Sequence, residues 1–128
     1  MTPETGDFMD KARPALREAT AVIAINLPEA AGRAAYLPSF HAAQALIFHR
    51  TSAIAKTHSG VRSEFARRTK DDPNIDRGCS TFLAQAYALK TIADYEMGPR
   101  AVVLRERAAA AIETATALVE RISKAISD

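Results

Sequence analysis

Apolar residues recur at every third or fourth position along four separate stretches of this chain, and that spacing leaves little choice but helix. From about Phe8 to Asn26, Met9, Ala12, Leu16, Ala19, Ile23 and Leu27 make one stripe, the pattern by which a helix lays one face on a core. Pro14 lies in the early part of that stretch and predicts a kink or a delayed start, and Pro28 ends it. A second helix is expected from near Glu29 to Thr51 or Ile54, with Arg33, Tyr36, Phe40, Gln44 and Ile47 on one face and a bend at Pro38. Residues 55–60 form a connection. Thr57 or Ser59 then caps a short helix carrying Val61 and Phe65. Asp76 is placed to cap a further helix reaching Tyr95, with the stripe Phe82, Ala86, Leu89 and Ala93 and a stop at Gly98-Pro99. The last stripe, Ala108, Ile112, Ala115, Val119, Ile122 and Ile126, predicts a helix from about Leu104 to Ile126.

Composition agrees with this pattern. The 128 residues include 27 alanines, 5 glycines and no tryptophan, which favours helix and offers little for a sheet. The expected fold is all-α: an antiparallel up-and-down bundle of four long helices plus a short one, in a single domain spanning 1–128. Phe40, Ile47, Phe65, Phe82, Leu89, Ile112, Val119 and Ile122 should be buried. No stretch resembles a signal peptide or reaches the ~18 uncharged apolar residues of a membrane span, and Cys79 has no second cysteine to bridge. A cytoplasmic protein without membrane attachment is expected.

Charge is unevenly spread. Residues 1–30 hold 3 basic and 5 acidic groups, whereas Arg50, Lys56, Arg62, Arg67, Arg68 and Lys70 face Glu64 alone between Arg50 and Lys70. Such a run suits a phosphate-bearing or acidic partner, or simply a solvated helix face. No metal is expected: His41 and His49 are ~12 Å apart along a helix, and no His-x-x-x-His or Cys-x-x-Cys occurs. Cys79, near a helix start, is expected to have a somewhat lowered thiol pKa but no adjacent base, so a structural role fits it better than nucleophilic attack. No cofactor is implied, because the scattered glycines build no phosphate loop.

The fragment KTHSGV puts Lys56, Thr57, His58 and Ser59 at a helix N-terminus, where free N–H groups attract an anion. The same residues also read as a plain cap with a packed histidine. Lys90 and Asp94 are four apart, an ordinary intrahelical ion pair when taken alone.

Taken in order, GRAAYLPSFHAAQALIF (32–48), AKTHSGVRSEF (55–65) and LKTIADYE (89–96) resemble the HEPN family, the higher eukaryotes and prokaryotes nucleotide-binding domains, and its small bacterial branch most of all. The resemblance implies a four- or five-helix bundle, usually a homodimer, often paired with a minimal nucleotidyltransferase in toxin–antitoxin systems. Many members cleave RNA without metal, using an Arg followed after four to six residues by His. No Arg here has a His at that spacing. Lys90 stands where that Arg would be, and Asp94-Tyr95 occupies the region of the His. Lysine holds phosphate without the bidentate geometry of arginine, and the carboxylate repels it.

The resemblance raises His41, His58, Asp94 and Tyr95 to candidates for one inter-helix polar site, or for a polar network that fixes helix register. The expectation is a non-catalytic HEPN-type domain binding nucleotide, RNA or a nucleotidyltransferase partner through Arg33, His41, Lys56, His58, Ser59, Lys90, Asp94 and Tyr95. Two alternatives stand beside it: a metal-independent endoribonuclease toxin using His41, His58 or Lys90, and a dimeric protein-interaction module.

Overall fold

Thr2 starts the first helix. Its hydroxyl accepts the Thr5 N–H at 3.3 Å, and Pro3 takes the first helical position, where a missing N–H costs nothing. The computed structural model describes residues 2–96, 103 and 105–127, and within them six helices form: α1 (Pro3–Ala24), α2 (Pro28–Ala34), α3 (Tyr36–Thr51), α4 (His58–Thr69), α5 (Arg77–Tyr95) and α6 (Arg105–Ser127). No strand occurs among the described residues. Helix α1 begins ahead of Phe8 and runs through Pro14, so that proline does not delay the start. The expected stop at Gly98-Pro99 and start at Leu104 lie outside the described residues.

The single second helix expected over 29–51 is in fact two. Pro38 has no N–H to give the Ala34 carbonyl, and its ring crowds that oxygen. The hydrogen-bond ladder therefore closes with Ala35 N–H donating to the Ala31 carbonyl at 3.0 Å. It restarts at Tyr36, which puts Pro38 in a first turn where no donor is needed. Ala35 itself keeps right-handed helical angles, so the break is in the ladder more than in the backbone path.

The four long helices alternate in direction. Phe8 of α1 meets Phe48 near the end of α3, with ring centroids 6.2 Å apart, while Val22 shares a cleft with Tyr36 and Leu37 at its start. Tyr87 of α5 meets Tyr36 at 5.4 Å, and the segment leading into α5 is tied through Asp72 to Arg50 at the far end of α3. Helix α6 returns along α5, with Arg121 bonded to Asp76 and Arg107 across a groove from Leu89. Helix α3 touches every other helix, and all eight residues expected in the core are buried.

Helix α4 departs from the alternation by running parallel to α3. His58 at its start lies against Tyr36 at the start of α3, and Arg50 near the end of α3 donates to the Arg68 carbonyl near the end of α4 at 2.7 Å. The link 52–57 must therefore travel back along α3. Ser52 turns the chain in the left-handed region, with φ 61°, and Gln44 pins the returning segment by donating to the Ala55 carbonyl at 2.9 Å.

Candidate functional site

That return places His58 beside residues it could not otherwise meet. Thr57 caps α4 by accepting the Gly60 N–H at 3.0 Å, fixing His58 in the first turn. The imidazole packs among three rings: Tyr87 at 4.4 Å between centroids, Tyr36 at 5.3 Å and Phe40 at 5.6 Å. The Tyr36 hydroxyl lies 2.7 Å from His58 Nδ1. His58 Nε2 has no hydrogen-bond partner among the described residues.

Cations surround this core. Arg62, one turn beyond His58, lies over the Tyr87 ring at 5.9 Å, and its Nε is buried without a hydrogen-bond partner. Lys90 stands one turn beyond Tyr87 on α5 and donates to Asp94 Oδ2 at 2.6 Å, while Arg33 of α2 donates to Oδ1 at 2.5 Å. The titration behaviour follows from these neighbours. Burial, then the charges of Lys90 and Arg62, holds the His58 pKa below its ordinary value, so the ring is neutral at neutral pH. Burial pushes the Tyr36 hydroxyl up to about 12, with Tyr87 adding and Arg62 opposing. The hydrogen bond from Lys90, with Arg33 behind it, holds Asp94 below the usual carboxylate range despite partial burial, and the same bond raises Lys90.

Of the residues singled out from the sequence, the fold gathers Arg33, His58, Lys90 and Asp94. His41 points elsewhere. Its Nδ1 bonds Gln44 at 2.9 Å, and the ring lines a groove between α1 and α3 beside Glu4, Asp7 and Asp10. Lys56 and Ser59 are exposed, and Thr57 rather than Ser59 is the cap. Tyr95 is 74% exposed at the end of α5, near enough to Lys90 to add to its upward shift.

Tyr36, Arg62 and Tyr87 belong to the cluster but were not among the expected site residues, although Arg62 lies in the basic run and Tyr36 on the expected face of the second helix. Spacing offers a signal for two of them: Arg62 is four residues after His58, and Tyr87 three before Lys90.

The basic run also resolves into separate parts. Arg50 pairs with Asp72, Arg67 and Arg68 share Glu64, and Arg62 alone turns toward the cluster. Cys79 reverses its expected behaviour: burial, then the nearby Asp76 carboxylate, pushes the thiol up rather than down. The Asp76 side chain, placed to cap α5, pairs instead with Arg121 at 2.9 Å. Among the described residues no group of His, Cys, Asp and Glu comes together to hold a metal, and no helix is long and apolar enough to cross a membrane.

The geometry thus defines a helical bundle carrying a packed aromatic cluster flanked by cations, groups whose charge and donors suit a phosphate. The family model described as HEPN domain matches residues 5–125, and the chain belongs to the HEPN family, a family associated with nucleotide or RNA binding and with ribonuclease activity. Comparison with curated proteins finds no match.

Proposed function

We propose that this HEPN domain binds the phosphate of a nucleotide or RNA where His58, Arg62 and Lys90 converge, and that it does so without cleaving the chain. The observation that carries the reading is the Tyr36–His58 pair set between two cations. Tyr36 keeps its proton up to about pH 12. When that hydroxyl donates to Nδ1, the proton of the neutral imidazole sits on Nε2, which is then a donor for a phosphate oxygen and not a base. Lys90 and Arg62 supply the charge, and Arg62 has a buried Nε still to satisfy.

A second reading rests on the opposite tautomer. With Nδ1–H donating to the Tyr36 oxygen, Nε2 is bare, and a neutral imidazole beside two cations has the parts of a metal-independent ribonuclease. In either case the family context favours a cytoplasmic homodimer working with a minimal nucleotidyltransferase in a toxin–antitoxin-like pair.

The test compares wild type with His58→Ala, Arg62→Ala and Lys90→Ala, without added metal, for RNA binding across a salt series and for RNA cleavage. Salt-sensitive binding weakened by each change, with no cleavage, is the expected result. Robust cleavage abolished by His58→Ala would replace the binding reading with the ribonuclease. Absence of both would leave an interaction module.

A further inference from the structure

A cleft opens beside the His58 cluster and shares two of its residues, Tyr36 and Lys90. It lies where α1, α2, the start of α3 and α5 meet, has a volume of about 310 Å³, and is walled mainly by Val22, Ala34 and Leu37. Leu37 is 48% exposed, an apolar side chain facing an open space rather than a packed neighbour. Three charged groups reach into this apolar cleft from different helices: Glu18 from α1, Arg33 from α2 and Lys90 from α5. Arg33 and Lys90 are both tied to Asp94, yet each retains donors beyond those bonds. Glu18 has no ion-pair or hydrogen-bond partner among the described residues.

We propose that this cleft is a nucleobase pocket that selects guanine, with Glu18 as the selecting residue and Arg33 and Lys90 directing the attached phosphate toward the His58 cluster. The inference rests on the phosphate-binding reading above. Apolar walls with a few converging polar groups are the usual make-up of a small-ligand site, and the volume exceeds that of one planar base. A carboxylate only accepts hydrogen bonds. Guanine presents two adjacent donors, N1–H and N2–H, which a carboxylate takes together. Adenine and cytosine offer an amino group beside a bare ring nitrogen, which the carboxylate repels. Uracil offers one N–H flanked by two carbonyl oxygens and fits worst.

The shared chemistry is a guanosine phosphate, and its source is either a free mononucleotide or a guanosine within single-stranded RNA. Calorimetric titrations with GMP, AMP, CMP and UMP test the first, and the pentamers UUGUU and UUUUU test the second. Wild type should bind GMP, or UUGUU over UUUUU, about tenfold more tightly than the uridine counterpart, the worth of one charge-assisted pair.

Glu18→Gln separates recognition from plain charge. Removing a carboxylate near the cations should leave uridine ligands unchanged or bound more tightly, whereas guanosine ligands should lose about tenfold. Glu18 is exposed on α1, and circular dichroism and melting will confirm that the variant folds. Guanosine preference in the pentamers alone identifies RNA as the source and supports the pocket. Equal binding of GMP and UMP, together with equal binding of UUGUU and UUUUU, that still depends on His58 and on salt overturns the pocket and leaves the phosphate site standing. Failure of every nucleotide and pentamer to bind overturns both.

Discussion

Replacing Tyr36 by phenylalanine removes a single hydroxyl from a ring that is 1% exposed and leaves the aromatic packing in place. The 2.7 Å contact with His58 Nδ1 is lost. His58 is only half-buried, so water can reach the abandoned nitrogen, and the cost at neutral pH is the net worth of one hydrogen bond, about 1 kcal/mol. For a domain of this length that corresponds to a fall in Tm of roughly 3–5 °C.

The larger signature of Tyr36→Phe is alkaline. Burial raises the Tyr36 pKa from 10.0 to about 12, so the fold favours the neutral phenol. The stability this confers is intact below pH 10 and declines as pH rises from 10 through 12, because the unfolded chain releases its proton first. The linkage gives a loss of about 1.3 kcal/mol in wild type between pH 9 and pH 11 from this one group. Phenylalanine has no such proton. Urea unfolding followed by circular dichroism at pH 7, 9, 10 and 11 should show wild type starting above the variant and converging on it. Curves that stay parallel across that range would refute the assignment of a buried, hydrogen-bonded Tyr36.

Phe65→Ala should cost roughly 3–5 kcal/mol, since the ring is fully buried between α4 and its neighbours; urea midpoints measure it. Gly32→Ala puts a methyl 3.1 Å from Val103 Cγ1 and 3.3 Å from Leu89 Cγ, so a loss of about 1–3 kcal/mol is expected in the same assay. Asp94→Asn releases Arg33 and Lys90 from their shared carboxylate. It should change stability by less than about 1 kcal/mol while tightening RNA binding and steepening its salt dependence in filter-binding titrations. Because His58 is held neutral by burial and nearby cations, its charge appears only below its lowered pKa. RNA affinity should therefore rise as pH falls below the ordinary histidine range, and His58→Ala should abolish that rise.

The helix boundaries were legible in the sequence wherever apolar period and terminal residues agreed. Helix α5 runs to Tyr95 as the stripe predicts, α6 buries every residue of its stripe, and Thr57 caps α4. Pro38 was legible as a disturbance but not as a break, because a helix can either bend at a proline or restart there, and only packing decides. The direction of α4 was illegible. Six linking residues carry no signal saying whether the chain turns away or doubles back, and the hydrogen bond from Gln44 to Ala55 that settles it joins residues in different elements. The same fact explains the site. His58 and Lys90 were visible as chemistry, but Tyr36 was legible only as part of a helix face and Tyr87 carried no signal of its own, because only the return of the chain sets an imidazole between them.

The link 52–57 acts as a ruler. Surface loops generally accept insertions because their ends are held independently and the extra chain bulges into solvent. Here the link is pinned partway by Gln44, and only the residues after Ala55 measure the distance to the cap at Thr57. One residue added or removed between Ala55 and Thr57 would move His58 by ~3.3 Å, the rise of one extended residue, enough to carry it out of reach of the Tyr36 hydroxyl. One added between Ser52 and Ala53, ahead of the pin, can bulge outward without disturbing the site. Length variation in this link should therefore be tolerated on one side of Ala55 and fatal to the Tyr36–His58 pair on the other, which makes it a place to uncouple the scaffold from its chemistry without touching any residue that performs it.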